Sequence, residues 1–111
     1  MLKFKKVNEI SIDCIGIWSS TILKNGNLCL CCDNEDEYTG VFDNYVMIID
    51  VIRDKIIAYL RDNNYHSIIH TINELDKGKL VATAENVYML LIFDITNLNN
   101  IIIDYINLEV T

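Results

Sequence analysis

Apolar residues along the chain fall in short runs at 16–23, 28–32, 46–51, 55–59, 68–75, 80–84, 90–95 and 100–104, separated by polar breaks. Each run is too short for a typical helix and long enough for a strand. Leu28-Cys29-Leu30-Cys31 and Leu80-Val81-Ala82-Thr83 are almost continuously apolar, the pattern of strands covered on both faces. Ile101-Ile102-Ile103 is β-branched throughout, which favours extended backbone. Asn25-Gly26 and Lys77-Gly78 supply the positive-φ residue that a tight turn between strands requires.

The runs repeat. At an offset of 52, Ile17 falls on Ile69, Ser19 on Thr71, Leu23 on Leu75, Gly26 on Gly78 and Leu28 on Leu80. At 44, Val46-Met47-Ile48-Ile49-Asp50-Val51 falls on Leu90-Leu91-Ile92-Phe93-Asp94-Ile95. At 45, Lys55-Ile56-Ile57-Ala58-Tyr59 falls on Asn100-Ile101-Ile102-Ile103-Asp104. The fall from 52 to 44 reflects an acidic insertion in the first copy, Asp33-Asn34-Glu35-Asp36-Glu37-Tyr38-Thr39-Gly40. The pattern predicts an all-β chain of two four-stranded antiparallel units within a single domain, 1–111. The first copy occupies about 12–61 and the second about 65–108.

A helical alternative competes. Tyr45, Ile48, Ile49, Ile52, Ile56, Tyr59 and Leu60 also share one helical face, and 67–76 ends near Gly78 like a capped helix. That reading gives a small α/β domain with helices near 45–62 and 67–76. The repeat favours strands, because 90–105 is too β-branched and Asn-interrupted to form the same helix.

With these motifs in view, the chain resembles a WD-repeat β-propeller. Ile49-Asp50 and Phe93-Asp94 stand where that family ends a strand in Trp-Asp. His66, in Asn64-Tyr65-His66-Ser67, stands at the family's Gly-His histidine, and Asp76-Lys77-Gly78 at the turn that follows. Both Trp positions are replaced, Tyr65 replaces the Gly, and Asp13-Cys14 occupy the histidine region of the first copy. The family's hydrogen-bonded network would involve His66, Thr83 and Asn86, incomplete here because Phe93 has no indole N–H.

The resemblance implies propeller-type blades that serve as a non-catalytic protein–protein interaction or scaffold module. Closed propellers take about four to eight blades. Two blades would therefore be completed by oligomerisation, with a homo-oligomer expected, or by docking as a subunit of a larger assembly. Trp18 and His70 are equivalent at the 52-residue offset and fall where the family contacts partners around its central channel. Tyr38, Tyr45 and Tyr88, flanking the turns before each third strand, are further candidate contacts. So is the acidic stretch Asp33, Glu35, Asp36 and Glu37. His66, Asp50, Asp94, Gly26 and Gly78 are the expected structural positions.

Charge narrows the partners. A formal net charge of −7 and a pI near 4.6 disfavour nucleic acid and anionic membrane surfaces. No apolar run reaches the ~18–20 residues of a membrane span, and Met1-Leu2-Lys3-Phe4-Lys5-Lys6 turns polar before a signal-peptide core develops. Cys29, Cys31 and Cys32 crowd one strand, unlike a disulfide framework, so reduced thiols and a cytoplasmic location are expected.

No nucleophile elbow, phosphate-binding glycine loop or zinc spacing is present, so neither enzyme activity nor a cofactor is expected. His66 and His70 would lie roughly 13 Å apart on a strand, too far to share a metal. The acidic stretch lacks the Gly and closing Glu of a calcium loop. Two other functions fit the same pattern. One is a small lectin-like oligomer in which Trp18 stacks on a sugar, although His70 in the second copy does not reproduce that site. The other is a small structural subunit of a larger complex.

Overall fold

The computed structural model describes residues 9–12, 14–34, 44–61, 69–84 and 89–108. Eight strands follow one another: β1 (Gly16–Ile22), β2 (Leu28–Asp33), β3 (Tyr45–Asp50), β4 (Lys55–Leu60), β5 (Ile69–Asp76), β6 (Lys79–Ala84), β7 (Met89–Asp94) and β8 (Ile102–Asn107). They form two four-stranded antiparallel sheets, sheet 1 ordered β1-β2-β3-β4 and sheet 2 ordered β5-β6-β7-β8. The chain is all-β.

The helical alternative is overturned. Its first segment contains β3 and β4, joined by a turn at 51–54, and its second contains β5. In β3 the odd and even positions serve two different cores. Val46 and Ile48 pack with sheet 2, whereas Met47 and Ile49 pack on the opposite side. A strand apolar on both faces leaves no polar alternation to distinguish it from a helical stripe.

Register in the first three strands of each sheet coincides up to the end of β5, where a bulge at Leu75, between Glu74 and Asp76, has no counterpart in β1. Ile17 pairs with Cys32 and Ile69 with Ala84; Ser20 pairs with Leu30 and Ile72 with Ala82. Leu28 pairs with Ile49 and Leu80 with Phe93; Cys31 pairs with Val46 and Thr83 with Leu90. The fourth strand departs from the 45-residue offset. Ala58 and Asp104 take equivalent places opposite Ile48 and Ile92, an offset of 46, whereas Ile56 and Ile103 sit opposite Ile49 and Phe93, an offset of 47. The cause is a bulge at Ile57, the extra residue between Ile56 and Ala58, which sheet 2 lacks.

The sheets stack through one core. Cys29, Cys31, Val46, Ile48 and Leu60 of sheet 1 meet Ile72, Leu80, Ala82, Leu91 and Phe93 of sheet 2, with Leu23 and Ile69 in the same cluster. The positions equivalent to Leu80, Ala82, Leu91 and Phe93 in sheet 1 are Leu28, Leu30, Met47 and Ile49, which lie on its other side. The two sheets therefore stack head to tail, front of one against back of the next. The outer side of sheet 1 forms a second core with Cys32 and Tyr45, covered by Ile10, Ile12 and Cys14 from the segment ahead of β1.

Phe93→Ala removes the largest fully buried side chain and is expected to cost about 3–5 kcal/mol in urea denaturation. Ile92→Ala, one residue away on the partly exposed face of sheet 2, is expected to cost under about 2 kcal/mol. Equal losses would contradict the head-to-tail arrangement of faces.

Candidate functional site

β1 and β5 are the edge strands at which the two sheets meet. Each contains an extra residue near its start. Ile17 and Ser19 pair with consecutive residues Cys32 and Cys31, leaving Trp18 unmatched. Ile69 and Thr71 pair with Ala84 and Thr83, leaving His70 unmatched. A bulge re-aims the side chain of its extra residue. Here both re-aimed rings meet, with centroids 5.1 Å apart and planes inclined by 30°. Trp18 is 53% exposed and His70 is half-buried, with its Nε2 lacking a hydrogen-bond partner among the described residues. Ile15 and Ile17 are also exposed beside Trp18. Together they form an apolar edge that can stack on a flat or aliphatic partner group.

The opposite end of these strands carries the turns. Gly26 and Gly78 have φ of 90° and 78°, the left-handed conformation that favours glycine. At Gly78 a Cβ would also lie 2.5 Å from the Thr96 Cγ2 atom. Asp50 and Asp94 close the turns after the third strands. Asp50 Oδ1 accepts from the Ile52 and Arg53 amides at 3.1 Å each, and Asp94 Oδ1 accepts from the Thr96 amide at 3.1 Å and its hydroxyl at 2.7 Å. Such carboxylate caps stabilise a turn locally. They act as structural positions and lie away from the aromatic edge.

Glu74 joins the turns of the two sheets. Its Oε1 accepts from the Lys24 amide of sheet 1 at 2.6 Å, and its Oε2 from the Gly78 amide of its own turn at 3.3 Å. Lys24, Asn25, Glu74, Lys77 and Thr96 line a cleft of about 550 Å³ there. Sequence reasoning missed Glu74. The available signal was a carboxylate at the repeat position where the first copy has Ile22.

Other candidates separate. Tyr45 is corrected as a surface contact: it is only 4% exposed, edge-on to Tyr59 at 5.4 Å and beneath the Arg61 guanidinium at 4.9 Å. Asp33 ends β2 opposite Gly16, half-buried, with its carbonyl accepting from the Ile15 amide at 2.9 Å. Tyr38, Tyr88, Glu35, Asp36, Glu37 and His66 lie outside the described residues.

All four cysteines are free thiols. Burial, reinforced by neighbouring thiols, pushes Cys29 from the ordinary 9.0 up to about 12; burial alone does the same for Cys31. Cys32 rises to about 12 through burial first and then its neighbour Cys14. Among the described residues no group of three His, Cys, Asp or Glu could hold a metal, and no helix is long and apolar enough to cross a membrane.

Two pH-dependent outcomes follow from these positions. The raised thiol values mean that the unfolded chain ionises near pH 9 while the folded chain retains its protons. Stability is therefore present below pH 9 and is expected to fall as pH rises towards 12, measured by denaturation with and without prior Cys→Ala replacement. The Asp94 carboxyl is held below the usual carboxylate range, first by the Thr96 hydroxyl and then by the Thr96 amide. Its contribution is present above the unfolded value and lost as pH falls through the folded one. Thr96→Val is expected to return the Asp94 titration, followed by carboxyl NMR, towards an ordinary value.

No protein-family model matches this chain, and neither a curated protein nor a solved structure matches it.

Proposed function

We propose that this chain is a non-catalytic protein-interaction module of WD-repeat-like β-propeller type. Its two sheets serve as successive blades, completed by association with further sheets, and it works in the cytoplasm. The observation that carries this reading is the head-to-tail use of the faces. A propeller turns equivalent positions the same way around its ring, so each blade offers its front to the back of the next. The core between Cys29, Cys31, Val46 and Ile48 and Leu80, Ala82, Leu91 and Phe93 follows that rule. Two such units do not close a ring, and stacked repeats gain stability from further neighbours.

The exposed chemistry favours contact over catalysis. Trp18, Ile15 and Ile17 present an apolar edge beside the half-buried ring of His70. Aromatic side chains of this kind anchor protein interfaces. Four free thiols suit a reducing compartment.

Affinity capture with the full immobilised chain tests the function. Wild type is expected to retain a protein stoichiometrically, either a distinct partner or further copies of itself, and Trp18→Ala to weaken that retention about tenfold or more. Absence of any retained protein overturns the interaction module. Undiminished retention by Trp18→Ala removes the aromatic edge from its contact surface.

A further inference from the structure

We propose that the outward face of sheet 2 is an interaction surface whose occupant is a second copy of this chain, docking with the outer face of its sheet 1. This rests on reading the two sheets as successive blades, and it names the surface and partner by which the stack continues.

The evidence is a set of equivalent positions that are covered in one sheet and bare in the other. Leu60 of sheet 1 lies in the core between the sheets and is 1% exposed; Ile106, in the same register position of sheet 2, is 49% exposed. Cys31 is fully buried and its mate Thr83 is exposed. Val81, Leu90 and Ile92 occupy the places of Cys29, Val46 and Ile48, and all three are only partly buried. Val81, Leu90, Ile92 and Ile106 make a contiguous apolar patch on one side of the sheet, bordered by Asn73, Lys79, Thr83, Asp94 and Asp104, which is the form of an unfilled interface.

The partner follows from the interface already formed within the chain. There, the side of sheet 1 that corresponds to the open patch receives Leu80, Ala82, Leu91 and Phe93. A second copy carries the same four positions on the outer side of its sheet 1, as Leu28, Leu30, Met47 and Ile49. The open face meets that seat through Val81, Leu90 and Ile92, with Thr83 as a hydroxyl among them, so this contact needs no charge pairing in an acidic protein. Ile10, Ile12 and Cys14 of the second copy cover that seat with half-buried side chains, and among the described residues this segment forms no strand. Docking displaces them. The contact is heterologous, with different surfaces of the two copies meeting, and it extends the stack in one direction. At the inner edge, the relation that places Trp18 against His70 places His70 against Trp18 of the second copy.

The test is the solution mass of the full chain by light scattering from about 1 to 100 µM, where mass action reveals reversible assembly. Wild type is compared with Thr83→Lys, Ile92→Lys and the double variant Ile10→Ser/Ile12→Ser. Ile92→Lys places its charge opposite Asp104 and Thr83 is already exposed, so both variants are expected to keep the fold; far-UV circular dichroism verifies it for all three. Wild type is expected to assemble, either open-face variant to weaken assembly about tenfold or more, and the double variant to strengthen it severalfold. Assembly sensitive to the open face but unchanged by the double variant would mean that two sheet 2 faces meet symmetrically, overturning the head-to-tail contact. A monomer throughout, for wild type and the double variant, overturns the second copy as occupant. The interaction-module reading then stands or falls separately, on capture of a different protein.

Discussion

The structure depends on one apolar contact, between the front of sheet 1 and the back of sheet 2. Every buried residue of sheet 2 belongs to it: Ile69, Ile72, Leu80, Ala82, Leu91 and Phe93. Without sheet 1, sheet 2 would be a single four-stranded layer with water on both faces, and a single layer buries too little apolar surface to offset chain entropy. Sheet 1 has a second core on its other side, beneath Ile10, Ile12 and Cys14. The two sheets share a strand plan but differ in stability support.

The inner edge and the turn end are consequences of that stacking. Because equivalent faces point the same way, β1 and β5 run side by side and their two bulges come into register. Trp18 and His70 then meet ring to ring, although 52 positions separate them in the chain. The same placement brings the Lys24 amide within reach of the Glu74 carboxylate. Each bulge belongs to its own sheet, whereas the ring contact and the carboxylate bridge form only because the core between the sheets brings the edges together. Burial suppresses thiolate formation at Cys29, Cys31 and Cys32.

Differences between the repeats follow from their different surroundings. Cys29 and Cys31 are small enough for the crowded middle of the inter-sheet core; Val81 and Thr83 at the same positions border water and include a hydroxyl. The Thr83 hydroxyl exchanges a hydrogen bond of 2.6 Å with Thr71, a pair that a fully buried position would have to satisfy without solvent. Similarly, Ile57 is an extra residue in β4 whose bulge has no counterpart in β8. The repeat is exact in the strands that form the ladder centre and relaxed at the periphery, where an added residue disturbs fewer hydrogen bonds.

The strand number and the division into two four-stranded antiparallel units were legible in the chain itself. Short apolar runs, β-branched stretches and the glycines at 26 and 78 are local constraints, and the 52-residue repeat relates one copy to the other. Which face of each strand would be buried was not legible, because runs such as Leu28-Cys29-Leu30-Cys31 are apolar on both sides. The same ambiguity made 45–62 compatible with a helix and put Tyr45 among surface candidates when Arg61 and Tyr59 cover it. The stacking of one sheet on the other decided the inner faces, and the segment ahead of β1 with Tyr59 and Arg61 decided the outer face of sheet 1. Burial is a property of what lies across the interface, and residues fifty positions apart must be brought together before either has a buried side.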